Sequence, residues 1–253
     1  MNPSQSFEDQ SYKRVIRAWT MYDWANSAFA TTIMGAILPT YFATYIASGN
    51  SVPIWGYAVA IGSLIAALLS PILGGIADFR ASKKLFLGIF AALGIISTAL
   101  LFFVSGPEQQ TLCIVLYILG TIGFAGSLVF YDSLLPHVAK PEDMDKVSSR
   151  GYAVGYIGGG VLLLINVLMI FLGPNLLTNM TNEAATQLMM RLSLASVAIW
   201  WQCSPFPFSE GLKSLPPWQR NKKLGKMASL SASSALARRF ARSVITRIFS
   251  GFC

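Results

Sequence analysis

Apolar runs of about the roughly 20 residues that a helix needs to cross a bilayer recur along the chain, broken by short stretches rich in charge and turn residues. They cover residues 20–46, 55–77, 85–104, 111–131, 151–172 and 188–207. The pattern predicts an all-α membrane protein with six transmembrane helices. It divides the chain into a polar N-terminal segment, 1–18, a transmembrane bundle, 19–207, and a tail, 208–253. The first apolar run is too long and too rich in polar residues for a cleaved signal peptide, so the N-terminus is expected to stay.

The connections between runs alternate in charge. Lys13, Arg14 and Arg17 precede the first run, Arg80, Lys83 and Lys84 follow the second, and Lys140, Lys146 and Arg150 follow the fourth. The intervening connections, 47–54, 105–110 and 173–187, hold no Lys or Arg. Positive loops stay in the cytoplasm, so the N-terminus is expected there, and six crossings return the tail to the same side. The outer connection 173–187 contains the glycosylation triplet Asn179-Met180-Thr181, which matters only in a secretory pathway.

Composition agrees with lipid as the principal partner. Apolar residues make up 54% of the chain and charged residues 12%, against about a quarter charged in soluble domains. The net charge of +8 does not point to nucleic acid, because nine of the nineteen Lys and Arg residues follow residue 212. Cys113, Cys203 and Cys253 lie far apart without metal or disulfide spacing. The single histidine, His137, argues against a multi-histidine metal centre. It also lies in a predicted loop, away from Ser127 in the fourth run, so no Ser-His pair is expected. No enzyme, metal or cofactor is indicated.

Polar groups within the runs are costly in lipid and carry the functional signal. In the first run Asp23, Asn26, Ser27, Ala30 and Thr31 fall on one helical stripe. Two readings stand for Asp23: a cap on the helix N-terminus beside an interfacial belt of Trp19 and Trp24, or a group facing a cavity. Tyr22-Asp23 is matched by Tyr131-Asp132 at the same predicted surface, a candidate cytoplasmic gate. Gly120 and Gly123 share a face with Ser127 and Tyr131, and close packing explains the glycines. In the fifth run Gly151, Gly155 and Gly159 recur every four residues, with Gly158 beside them. Each weakens a helix by about 1 kcal/mol relative to Ala, so close packing or a bend must be the gain. After the second run, Gly74 and Asp78 lead into Lys83 and Lys84, a carboxylate at a helix exit followed by a cationic turn suited to hold neighbouring helix ends.

Gly74-x-Ile-Ala-Asp78 with Lys83-Lys84 resembles the signature loop of the major facilitator superfamily, with Phe79 where an Arg is usual and Ala81 where a Gly is usual. Gly151 to Gly160 is similar to the fifth-span motif of antiporters, with Tyr156 in place of a Pro. Tyr22 to Phe29, Phe130 to Pro136 and Gly155 to Gly160 resemble the vacuole-effluxer-like (autophagy-related) branch of that superfamily, over about Trp19 to Trp201. The resemblance implies the N-terminal bundle of a major facilitator fold, one of two six-helix bundles that rock about a midplane site. It implies a secondary active transporter of a small solute, with amino acids as the class associated with fungal members. Tyr22, Asp23, Asn26, Ser27, Tyr131 and Asp132 would line the pathway or gate, and Gly74, Asp78, Lys83 and Lys84 would form the conformational switch. The switch would act on a second bundle that this chain lacks. The membrane would be the plasma membrane in a prokaryote and the vacuolar membrane in a fungus. A non-transporting accessory protein, or an inactive fragment, is the alternative.

After Trp200-Trp201 the character changes to Ser, Pro, Lys and Arg. Codons compatible with residues 201–217, read one nucleotide earlier, permit AVFSLPFFRRVKEPP, the expected end of a sixth span. A frameshift near Trp201 is therefore expected, leaving a truncated transporter with an out-of-frame tail. An authentic tail with a basic surface helix over Leu236 to Phe249 is the other reading.

Overall fold

The apolar runs become helices because a backbone in lipid must satisfy its own hydrogen bonds. A computed structural model describes residues 3–79, 83–177 and 179–203, with side chains from residue 10 and without those of residues 78 and 79. Every long element among the described residues is helical, and from Lys13 onward they form one compact unit. The elements are α1 (Pro3–Ala28), a π-helical stretch (Phe29–Ala36), α2 (Ile37–Tyr41), a second π stretch (Phe42–Ile46), α3 (Ser51–Phe79), α4 (Lys83–Leu100), α5 (Gln110–Val138), α6 (Met144–Leu172) and α7 (Asn182–Gln202).

Five rods are long and apolar enough to cross a membrane: Gln10–Ile46, Ser51–Ala77, Lys83–Phe103, Pro107–Val138 and Pro141–Leu176. They correspond to the first five expected runs. The sixth, α7, has 21 residues, about 31 Å at 1.5 Å per residue, but is less apolar. It starts six residues before the run read from sequence, because Thr181 caps it by accepting from the Ala184 N–H at 3.3 Å. The basic tail, the expected frameshift and the surface-helix alternative lie outside the described residues.

The first rod widens to a π-helix next to Pro39. Pro39 has no N–H and its ring crowds the carbonyl four residues back, while the Thr31 hydroxyl oxygen sits 3.3 Å from both the Ser27 and Ala28 carbonyls. Both effects loosen the ordinary helical ladder. The Ile37 N–H accordingly reaches back five residues to the Thr32 carbonyl.

Small residues set the helix contacts, as in bundles where lipid removes the hydrophobic drive between helices. A Cβ on Gly123 would strike the Gly94 backbone, and one on Gly126 the Phe90 ring, so α4 and α5 touch almost backbone to backbone. A Cβ on Gly120 would stand 3.1 Å from the Phe29 ring. These pairings bear out packing as the role of the fourth-run glycines. Residue pairs also fix direction. Phe90 with Gly126 and Gly94 with Gly123 make α4 and α5 antiparallel, while Trp55 beside Tyr117 and Gly62 against Thr121 make α3 and α5 parallel. Tyr57, Ile61, Leu64, Leu68 and Ile72 stand exposed along α3, an uncovered apolar stripe of the kind that meets lipid.

At one end of the bundle, three donors serve carbonyls beyond the last turn of α4. Arg191 Nε donates to the Phe102 carbonyl, the Tyr41 hydroxyl to that of Val104, and Gln187 Nε2 to that of Ser105, each at 2.7 Å. The Arg191 guanidinium also lies 4.8 Å from the Phe102 ring centroid. Gln187 and Arg191, two of the polar residues of α7, are thus committed to carbonyls just beyond α4 that the helix itself does not satisfy.

Candidate functional site

At the opposite end, α1, α5 and α6 converge on the residues singled out from sequence. Asp23 is the twenty-first residue of an unbroken helix that starts at Pro3. It therefore cannot cap an N-terminus, and the capping reading fails. Its side chain is only 7% exposed and faces α6. A Cβ on Gly155 would stand 2.7 Å from Ser27 Oγ and 3.0 Å from the Asp23 carboxyl carbon. A Cβ on Gly158 would strike the Trp24 carbonyl and ring, and one on Gly159 would stand 2.9 Å from both the Ser27 carbonyl and the Thr31 methyl. The Thr31 hydroxyl donates across the seam to the Gly159 carbonyl at 3.1 Å.

The matching is ridge against ridge. Trp19, Asp23, Ser27 and Thr31 recur every four residues on α1, and Gly151, Gly155 and Gly159 do so on α6, in the same direction. The i±4 rows of both helices meet in this way, and glycine lets a carboxylate and two hydroxyls sit at backbone distance. Gly151, Gly155, Gly158 and Gly159 are all buried, and α6 runs unbroken through them. They bring α6 close to α1 without interrupting the helix.

The predicted stripe divides in two. Asp23, Ser27 and Thr31 face α6, whereas Asn26, 1% exposed, turns with Tyr22 toward the interior, where the Tyr22 hydroxyl lies among Asn26, Ser127 and Trp201. The two Tyr-Asp pairs do come together. The Tyr22 and Tyr131 rings lie 5.2 Å apart, and Asp23 is within electrostatic reach of Asp132 and of the exposed Tyr152. Tyr131 is buried and Asp132 exposed, so the aromatic member closes the junction and the carboxylate opens to its surface. Among the described residues no Lys or Arg forms an ion pair with Asp23.

Trp19, assigned from sequence to an interfacial belt, is instead a core element of this junction. It stacks on Tyr131 with ring centroids 4.2 Å apart and planes 9° from parallel, and its indole N–H donates to the Tyr131 carbonyl at 3.3 Å. A Cβ on Gly151 would come within 2.8 Å of its ring. The signal was present in its four-residue spacing from Asp23, in register with the glycines.

The switch-loop residues are only partly joined. Lys83 Nζ donates to the Ser133 carbonyl at 3.0 Å, tying the start of α4 to the last turns of α5, where a cation complements the helix dipole. Lys84 is half-buried nearby in sequence, and Gly74 has open space where a Cβ would stand. The Asp78 side chain lies outside the described residues.

The profile of the family described as vacuole effluxer Atg22-like matches residues 50–245. The chain belongs to this family. An uncharacterized MFS-type transporter of Bacillus subtilis, YxiO, is 36% identical over 195 residues, covering 75% of this chain and 44% of that protein. The chain thus matches less than half the length of this curated relative. The vacuole effluxer-like assignment agrees with the resemblance read from the three local motifs, and a major facilitator type of bundle agrees with the helices. The profile match begins after the first rod, so it does not cover Trp19, Tyr22, Asp23, Asn26 and Ser27. No solved structure gives a significant match.

Proposed function

We propose that the chain forms the N-terminal bundle of a secondary active transporter that moves a small solute, with amino acids the first class to test. It acts with a second six-helix bundle, and its N-terminus lies in the cytoplasm. The reading is of a transporter rather than an enzyme. Asp23 is the observation that carries it: a carboxylate buried at a helix seam, with no cationic partner among the described residues, in a part of the chain surrounded by lipid. Such a group is costly and is kept for a pathway or switch.

In this reading Trp19, Tyr22, Tyr131 and the α6 glycines form the cytoplasmic gate. Flat rings and glycine backbone give a surface on which α1 and α6 can shift without side-chain interlocking, and Asp23 with Ser27 supplies the polar contact that changes as they do. Gly74, Asp78, Lys83 and Lys84 act as the switch loop, with Lys83 anchoring it to α5. The test is uptake of labelled amino acids into vesicles carrying residues 1–253, alone and with the unmatched remainder of the Bacillus subtilis relative supplied in trans as the second bundle. Transport only when the second part is supplied supports the proposal, whereas transport by residues 1–253 alone contradicts the need for a second bundle. Binding to that bundle with no solute movement favours the accessory reading.

A further inference from the structure

The first rod is fastened differently at its two ends. In the half distant from Asp23, formed by α2 and the second π stretch, Ile37, Leu38, Tyr41, Phe42 and Ile46 are buried. The Tyr41 hydroxyl donates to the Val104 carbonyl, and the Ser48 N–H just beyond the rod donates to Gln110 Oε1, both at 2.7 Å. Phe42 packs on Trp55 and Trp55 on Tyr117, with ring centroids 5.1 and 4.7 Å apart. Short hydrogen bonds and interlocked side chains thus tie this half to α3, to α5 and to the turn between α4 and α5. The Thr40 and Thr44 hydroxyls are also committed, to carbonyls four residues back at 2.9 and 2.8 Å.

The half that carries Asp23 is held more loosely. The Trp19 indole N–H reaches the Tyr131 carbonyl and the Trp200 indole N–H reaches the Trp24 carbonyl, both at 3.3 Å. Those bonds are longer than the usual N–H···O distance of about 2.9–3.0 Å. Along α6 this half meets glycines, which have no side chains to interlock with it. Asn26 Nδ2 and Thr32 Oγ1 are buried and bond to no group among the described residues.

Between the two halves lies the π stretch Phe29–Ala36. Such a stretch is a helix holding an extra residue, and these insertions recur at functional positions. Returning that residue to the α-helical ladder turns one half of the rod about its axis by about 100°, one residue at 3.6 per turn, without breaking the rod. We propose that Phe29–Ala36 is a rotary hinge, about which the half ending at Ala28 turns against α6 while the half from Ile37 stays fastened. The proposal rests on the reading of the Trp19–Tyr131 junction as a gate, and it names the part of the rod that moves. The turn takes Asp23 off its contact with Gly155 and gives Asn26 and Thr32 new neighbours.

The test measures distances between paired nitroxide labels by electron spin resonance, on residues 1–253 in lipid nanodiscs with Cys203 and Cys253 replaced by Ser. Cys113 is buried and takes no label. Arg17→Cys with Ile72→Cys reports the Asp23 half against α3, and Ala43→Cys with Glu108→Cys reports the fastened half, all four positions being exposed. The first pair is expected to give two populations about 5 Å or more apart, the scale of a side chain's arc over that turn on a helix about 10 Å wide. The second pair should give one narrow population. Pro39→Ala restores an N–H and relieves the crowded Gly35 carbonyl, so it should leave the first pair with a single population and the second pair unchanged. A single narrow population at the first pair before that substitution overturns the proposal. Two populations that persist in Pro39→Ala, or a second pair as broad as the first, overturn it as well. The measurement needs neither solute nor second bundle, so its failure leaves the transporter reading standing, and a failure of uptake leaves the hinge open to the same test.

Discussion

Glycine is where single residues decide most in this bundle, and two neighbours on α6 make opposite predictions. Gly158 has the Trp24 backbone and ring against it, whereas Gly160 has nothing within 4 Å of a Cβ. Gly158→Ala forces the seam apart and should destabilise the protein by about 1–3 kcal/mol. Gly160→Ala meets no neighbour and should be neutral or stabilising by up to about 1 kcal/mol. Thermal unfolding of the two variants in the same detergent checks the contrast, and equal effects would contradict the α1–α6 packing. The sequence disclosed which glycines share a face, because four-residue spacing is a property of the helix alone. Its spacing put Trp19 on the face of Asp23, but nothing local tells a tryptophan that meets headgroups from one stacked on Tyr131. Nor could the sequence separate Asn26 from Asp23. Three residues apart, they are near enough on the wheel to share a stripe and far enough to face different partners.

Elements were legible to different degrees for physical reasons. The first five rods follow from apolar length, and their order in the chain sets their alternation. The π stretch after Ala28 follows from Pro39 and the Thr31 hydroxyl, but its effect lies several residues from its cause. The least legible rod is α7, whose polar residues look unsuited to lipid until their acceptors are known. Arg191 illustrates this, because a cation on the predicted outer side reads as a snorkelling side chain when it in fact closes the end of α4. Arg191→Met should leave the Phe102 carbonyl without its donor and cost about 1–3 kcal/mol. Amide hydrogen exchange should rise first at residues 98–103, while Leu192→Met, on the neighbouring and more exposed position, should change little. Uniform exchange across α4 in Arg191→Met would contradict the role given to this contact.

For the whole molecule, family and helical class were legible because they rest on motifs and runs within the described helices, whereas orientation rests on loop charge alone. With Cys203 and Cys253 replaced by Ser, an impermeant maleimide should label Glu142→Cys only from the cytoplasmic side and Glu108→Cys only from outside. Cys113, fully buried, should stay silent. The reverse pattern would invert the bundle and move the Asp23 junction to the outer surface. The residue-level, element-level and membrane-level arguments meet in that junction, where a buried carboxylate, a stacked Trp-Tyr pair and a glycine seam occupy one end of the bundle. The most direct test of its role is solute uptake by vesicles carrying Asp23→Asn, compared with the unmodified chain under the arrangement that supports transport. Asn keeps the shape and removes the charge, so protein level and thermal stability should hold while uptake falls about tenfold or more, equivalent to about 1.4 kcal/mol or more in the barrier. Uptake at the unmodified rate would contradict the assignment of Asp23 to the transport gate.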